Sequence, residues 1–491
     1  MFESAEIGNR IDKKTYQKEE PRLRAALLEA QRRLADSRRS IAVLVGGVEG
    51  AGKSETVNLL LEWLDGRGVE VHALGTPSDE ERERPRYWRF WRILPPFGRI
   101  GIFFGSWYSD PIVDCTYKRI DAAALKNELH RITQFERMLS NEGVVLVKIW
   151  MHLSKAAQKK RLKQLSKNPT TAWRITPLTW KYFKKYGQFR KVSEESLRYT
   201  SLGFAPWHVV EAEDERYRYL TTATHLLQAI EAALRPAPKA PRAPLAPEFE
   251  LPASGTLIGR MDLSRALSKK AYDKQLLKLE AELNALTRQM HHDGRSMILV
   301  FEGPDAAGKG GTIRRLVAPM DSRHYQFMSV AAPTDEERAH PYLWRFWRQL
   351  PRQGRVTIYD RSWYGRVLVE RIEGFCTPEE WQRAYSEINQ FEEQLTEFRT
   401  VVLKFWLAIS PQEQLKRFKE RQTTPYKQYK LTEEDWRNRA KWNAYENAAS
   451  EMVERTSTRS APWVLVEAND KYWARIKVMK TVRDALQQSR G

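Results

Sequence analysis

Cysteine is nearly absent: the chain carries two, Cys115 and Cys376, in 491 residues. So distant a pair can build neither a disulfide framework nor a cysteine metal site. No apolar run approaches the length that spans a bilayer, and the N-terminus MFESAEIGNR lacks the charged-then-apolar pattern of a secretory signal. These absences argue against a stapled secreted fold and against a membrane protein, and they favour the cytoplasm. Histidine is scarce as well; none of the nine stands as an obvious catalytic partner. Acidic residues are outnumbered, 62 Asp and Glu against 82 Lys and Arg, which leaves a formal charge of +20. A field of that sign attracts polyanions and raises their encounter rate. Nucleic acid, a phosphate polymer or an anionic surface would each fit, nucleic acid foremost on charge alone.

Core material is plentiful. Apolar residues make up 42% of the chain, with 17 Trp, 19 Tyr and 18 Phe, and the length calls for two domains or more. One long internal repeat runs through it without a gap. Lys309 follows Lys53 by 256 positions, and the same offset separates Trp344 from Trp88, Trp436 from Trp180 and Pro462 from Pro206. GTPSDEERERPRYWRFWRILP, starting at Gly75, faces AAPTDEERAHPYLWRFWRQLP with thirteen of twenty-one positions identical. A period this long marks a duplicated domain, since solenoid units are far shorter. The expected domains are residues 1–235 and 256–491, joined by a Pro-rich spacer at 236–255 that cannot continue a helix.

In the second copy, β-rich runs at 296–301, 325–330, 355–360, 400–408 and 463–468 alternate with helical stretches. Apolar strands separated by helices predict a parallel sheet covered on both faces, an α/β three-layer fold. Its first strand leads through EGPDAAGKGGT into a helix. Gly303, Gly308 and Lys309 match G-x-x-x-x-G-K, in which backbone N–H groups and a helix N-terminus wrap a phosphate while the lysine neutralises it. Gly310 stands where that motif has a metal-touching hydroxyl. Asp305 can supply a hard oxygen instead, or can simply stabilise the turn. In RVTIYDRSWYGR, Asp360 and Arg361 close an apolar strand at the sheet edge where α/β folds bind ligands. They read as metal carboxylate and phosphate clamp, or as a salt bridge with each other.

Between the fourth and fifth strands Lys416, Arg417, Lys419, Arg421, Lys427 and Lys430 surround a Pro break. This is either a solvated helix face or the helical lid with which small kinases exclude water. Arg345 and Arg348 interleave with Trp344 and Trp347, which suits an anion channel or a core helix with its arginines turned out. The first copy is the mirror case. Its loop, Gly47, Gly52, Lys53 and Ser54, satisfies the full motif, yet Phe104, Gly105 and Leu165 stand where the second copy has Asp360, Arg361 and Arg421, and Glu49 replaces Asp305. The first copy is therefore expected to be inactive, though its loop can still hold an anion.

On these residues the second copy resembles the family-2 polyphosphate kinases. The likeness covers EGPDAAGKGGTIRRL, PYLWRFWRQLP, IYDRSWYGRVLVERIEGF, the basic stretch with PYKQYKLTEEDW, and APWVLVEANDKYWARI. It implies two tandem P-loop-kinase-like domains, each a five-stranded parallel sheet in an α/β/α sandwich with a helical lid. It further implies phosphoryl transfer between inorganic polyphosphate and a nucleotide with Mg²⁺, Mn²⁺ being the alternative. Duplication within one chain resembles the branch that converts AMP to ADP. The motif positions then make Asp305, Lys309, Asp360, Arg361 and Arg421 catalytic, with Asp305 and Asp360 holding the metal. Gly303, Gly308, Gly310, Gly311, Thr312, Arg345, Arg348, Lys427 and Lys430 are the expected phosphate contacts. Polyphosphate suits the charge better than nucleic acid does. Two rivals stay open, an ATP-dependent P-loop kinase and a non-enzymatic polyanion-binding protein, and so does assembly into a homo-oligomer.

Overall fold

The structure, a computed structural model, describes residues 1–235 and 255–489. The expected spacer thus lies almost wholly outside the described residues. The chain forms two compact units that follow the two sequence copies except at two segments. Residues 79–86 belong to the second unit and residues 333–348 to the first. The physical reason is visible inside the first unit. The helix Trp344–Arg348 buries Trp347 in a stack on Trp91, with ring centroids 5.8 Å apart at 10°. Trp344 and Trp347 are therefore core residues.

Each unit contains one five-stranded sheet. In the first, β1 (Ser40–Gly47), β2 (Val69–Ala73), β3 (Ile100–Phe104), β4 (Val144–His152) and β5 (Trp207–Glu211) lie in the order β2-β3-β1-β4-β5. In the second, β6 (Ser296–Glu302), β7 (Tyr325–Ser329), β8 (Val356–Asp360), β9 (Thr400–Ala408) and β10 (Trp463–Glu467) repeat it as β7-β8-β6-β9-β10. Every pairing is parallel. The expected five strands are all present, within a residue or two of their predicted ends. β6 is buried at each position, as a central strand must be. β7 is an edge strand and is not covered on both faces; its Phe327 is 48% exposed.

In the second unit, helices Lys269–His292 and Lys471–Gln488 bring Leu279, Leu283, Leu286, Met479 and Val482 onto Leu299, Phe301 and Phe405. The opposite face carries helices Pro378–Glu397 and Trp442–Thr456. Helix starts are well specified: Thr377 and Glu380 form a capping box ahead of Pro378, and Asp470 caps the last helix. The strand order places a switch point between β6 and β8, because the chain leaves β6 toward one sheet edge and β8 toward the other. Crevices at such points are where open α/β sheets take ligands. The loop after β6 and the Asp360–Arg361 pair both open there.

Candidate active site

The loop after β6 is shaped by its glycines. Gly303 sits at φ +143°, and a Cβ there would lie 2.5 Å from Leu407 O of the neighbouring strand, so no side chain fits. Gly308, at φ +100°, starts the helix Lys309–Val317. Lys309 Nζ donates to Gly303 O at 2.7 Å, which folds the side chain over the loop. Gly310 and Gly311 form the first turn, and the amide of the buried Thr312 bonds to Gly308 O at 3.0 Å. Two side chains of the following helical segment, Pro411–Thr423, hold the loop from outside. Gln414 Nε2 donates to Asp305 O at 3.0 Å, and Arg417 donates to Ala306 O at 2.9 Å and to Ala468 O and Asn469 O at 2.8 Å each.

β8 delivers the second group. Phe301 and Asp360 are register partners, so the residues beyond them, Glu302 and Arg361, emerge together. Arg361 turns at φ +63°, a left-handed conformation that costs a non-glycine residue free energy. Its guanidinium donates to Asp305 Oδ1 at 3.1 Å, while Asn438 Nδ2 donates to Asp305 Oδ2 at 2.9 Å. Asp305 is therefore no turn-capping side chain. Burial pushes its carboxyl up, but Lys309, Arg361 and Asn438 outweigh that and hold it below the usual carboxylate value. Arg361 pairs with Asp305 and not with its neighbour Asp360. The Asp360 carboxylate makes no hydrogen bond or ion pair among the described residues, and its Oδ2 stands 4.0 Å from where a Cβ on Gly310 would be. Where the motif has a hydroxyl, this copy presents a carboxylate.

Helix Glu433–Ala440 returns over the loop and forms a hairpin with Pro411–Thr423, as expected of the lid. Arg439 braces the hairpin through Pro411 O and Gln414 Oε1. A cavity of about 310 Å³ lies beneath it, of a size suited to a small ligand. Glu302, Asp305 and Arg361 line it together with Trp406, Trp442 and Tyr445.

Sequence reasoning missed Glu302, Asn438 and Arg475. Glu302 is 5% exposed and accepts from Ser362 Oγ at 2.8 Å. Burial, reinforced by Asp360, pushes its carboxyl up to about 7 against the pull of Ser362, Lys309 and Arg361. The signal was in the repeat, because Gly46 stands at this position in the first copy. Arg475 brings Nη2 to 3.4 Å from a Cβ placed on Gly311, beside the first turn of the loop helix. Its counterpart is Tyr219.

The remaining expected residues do not all converge. Arg421 occupies the last turn of Pro411–Thr423 and is not among the residues lining the cavity. Arg345 and Arg348 belong to the first unit, where they pair with Glu337 at 3.4 Å and Glu336 at 2.8 Å. The side chains of Lys427 and Lys430 lie outside the described residues.

The first unit repeats the loop with its lysine but without counterparts of Asp360 and Arg361. Lys53 Nζ donates to Gly47 O at 3.0 Å, and Gly52 at φ +79° opens the helix Lys53–Trp63. Phe104 ends β3, and Gly105 just after it takes the same left-handed turn, at φ +85°, that Arg361 takes under strain.

Comparison with known proteins gives a consistent set of matches. The family model described as polyphosphate kinase 2 matches residues 10–238 and 266–490. The chain is 54% identical to a polyphosphate:AMP phosphotransferase of Pseudomonas aeruginosa, over 99% of both sequences. It is 50% identical to a protein of the same name from Pseudomonas syringae pv. tomato, over 100% of this chain and 99% of that one. A crystal structure of a polyphosphate kinase 2 from Pseudomonas aeruginosa superposes with a TM-score of 0.90 at 51% identity, covering 100% of this chain and 99% of that one.

Proposed function

Because the chain belongs to the polyphosphate kinase 2 family, we propose that its second copy moves the terminal phosphoryl group of inorganic polyphosphate to AMP, giving ADP. The observation that carries this reading is the grouping of Lys309, Asp305, Arg361 and Asp360 around one switch point, in one copy only, beside a cavity with aromatic and polar walls.

The donor set fits a hard divalent ion. No group of three or more His, Cys, Asp or Glu is gathered among the described residues, but Mg²⁺ is commonly held by one or two carboxylates with substrate phosphates and water completing the shell. Asp360 offers an unpaired carboxylate, and Asp305 an ionised one that would release Arg361 or Asn438. These two residues would hold Mg²⁺, or Mn²⁺ in its place, and the ion would supply neutralising charge to phosphate oxygens.

The chain's own groups account for the rest. The loop amides and Lys309 bind the end of the polyphosphate chain, with Arg475 beside the first helical turn. The cavity takes the nucleoside of AMP. An oxygen of the AMP phosphate attacks the terminal phosphorus, the bridging P–O bond breaks, and polyphosphate leaves one unit shorter. AMP is already an anion near neutral pH and needs no base, which suits a site without histidine. Arg361 stabilises the charge that gathers on the transferring group, and Arg421 would do so from the lid. We assign the reaction to the cytoplasm, a reading supported by two unpaired cysteines and by the lack, among the described residues, of any helix long and apolar enough to cross a membrane.

The test is incubation of purified protein with AMP, polyphosphate and Mg²⁺ in the absence of ATP. ADP formation is expected; its absence, with AMP phosphorylated only when ATP is added, would make this an ATP-dependent kinase instead.

A further inference from the structure

The first unit contains a cavity of about 280 Å³ against its own phosphate loop, at the position that the active-site cavity occupies in the second unit. The loop has kept its working shape. Gly47 turns at φ +139°, where a Cβ would lie 2.2 Å from Met151 O, and Lys53 folds onto the loop as Lys309 does. The walls have changed chemistry. Asn438, Trp442 and Tyr445 are matched by Tyr182, Tyr186 and Phe189, while Glu302 and Arg361 are matched by glycines 46 and 105. The cleft keeps an aromatic wall, extended by Tyr182 where Asn438 stands, and keeps Glu49, Lys53 and Lys185 while losing the counterparts of Glu302 and Arg361.

We propose that this cavity is a non-catalytic binding site for a nucleoside monophosphate. The aromatic walls would take a planar base, and loss of that apolar surface from water favours the bound state. Polyphosphate has no such surface and gains nothing there. Without a counterpart of the Arg361 clamp, the loop is suited to holding a single phosphate and not to steadying a transferring group. Lys53 folds over the loop, the Arg218 guanidinium packs against Gly52 and Lys185 lines the cavity, whereas the counterpart of Arg361 is Gly105. With Phe104 in place of Asp360, a triphosphate's divalent ion would find one carboxylate, Glu49, in the cavity lining, where the second copy offers the two of Asp305 and Asp360.

An independent feature points the same way. Gln158 lines the cavity, is 4% exposed, and donates from Nε2 to Glu49 O at 2.9 Å, yet its Oε1 has no partner. Its counterpart Gln414 receives a hydrogen bond from Arg439, which is Phe183 in this copy. A buried acceptor left unmatched is costly, and an amino or hydroxyl donor of a ligand would satisfy it.

The site does not depend on the activity proposed for the second copy. The experiment is equilibrium dialysis of AMP against the full chain, with chelator and without polyphosphate. The proposal predicts that Lys53→Ala and Val113→Trp, the second filling the cavity from its wall, each lower the number of AMP molecules bound by one per chain or weaken that class of site at least tenfold. Arg361→Ala should remove a different equivalent, and its failure to do so would count against AMP in the second copy alone. Unchanged AMP binding in both Lys53→Ala and Val113→Trp, with the variants folded by circular dichroism, overturns the proposal. So does equal binding of adenosine and AMP, because the loop would then contribute nothing.

Discussion

Arg361 occupies a backbone conformation that an arginine does not favour. The turn after β3 or β8 requires positive φ in both units, and the first unit meets it with Gly105. Holding an arginine there costs about 1 kcal/mol or more, a strain that clusters at functional positions. Arg361→Gly should therefore lower stability by less than Arg361→Ala, since glycine relieves the backbone while both lose the contact with Asp305. Both should lower kcat by roughly 100-fold or more if the guanidinium meets charge in the transition state. Thermal melts and steady-state rates on the two variants check this, and an Arg361→Gly enzyme of normal activity would dispose of the clamp. Glu302 permits a pH test. Its folded value of about 7 lies above the ordinary 4.5, so the folded state binds the proton more tightly than the unfolded one. The associated stability is complete below about pH 4.5 and is lost as pH rises to about 7. In metal-free protein, the parent should lose about 3 kcal/mol over that window relative to Glu302→Gln, measured from denaturant midpoints. Identical pH profiles would show that Glu302 ionises freely. Residues of this kind divide by how far they could be read in the sequence. Lys309, Asp360 and Arg361 announce themselves because strand, loop and helix are local. The contact of Asn438 with Asp305 spans 133 residues and exists only once the hairpin has folded. Arg417, one basic residue among six in the lid segment, is distinguished from Arg421 by the carbonyls that it meets.

At the scale of elements, strand positions were legible because central parallel strands are largely apolar, whereas the exposure of β7 depends on its place at the sheet edge, which pattern alone does not encode. The joints between elements show a further feature that alternation hides. β9 carries Lys404 in the middle of an apolar run, fully buried, with Nζ 2.6 Å from Glu392 of helix Pro378–Glu397. Tyr364 and Trp363 also donate to Glu392, at 2.7 and 3.0 Å, and Lys404 donates to Thr456 O at 2.7 Å. Burial pushes Glu392 up and Lys404 down, and mutual satisfaction offsets the cost of burying both. Lys148, Glu136, Tyr108, Trp107 and Thr200 repeat the arrangement in the first unit. Its survival in a copy without catalytic charges assigns it to the fold. Glu392→Ala should destabilise the second unit by about 3–5 kcal/mol by stranding the lysine, and Glu136→Ala should do the same to the first. Glu392→Met with Lys404→Met should recover most of the loss, which calorimetry of each variant would reveal. If Glu392→Ala costs under about 1 kcal/mol, the network is ornamental to stability.

Over the whole molecule, the question is whether two copies make two enzymes. Duplication alone suggests that they do, and the first copy has the more complete phosphate-loop motif. The geometry argues otherwise, because a bound phosphate is only the start of transfer. At the first loop the attacking and leaving oxygens would face Phe104 and Gly105, and no carboxylate replaces Asp360. Activity should then behave as the property of one site. Asp360→Asn, which keeps the shape and removes the charge, should abolish ADP formation to below about 1% of the parent while Lys53 and its loop remain intact. Placing Asp and Arg at 104 and 105 in that variant should not restore it. Gly46, Tyr182 and Phe189 would still stand where Glu302, Asn438 and Tyr445 complete the second site, and an arginine at 105 would press its Cβ to 2.5 Å from Leu74 O. Residual turnover in Asp360→Asn that disappears on adding Lys53→Ala would show a second catalytic centre and refute the single-site reading.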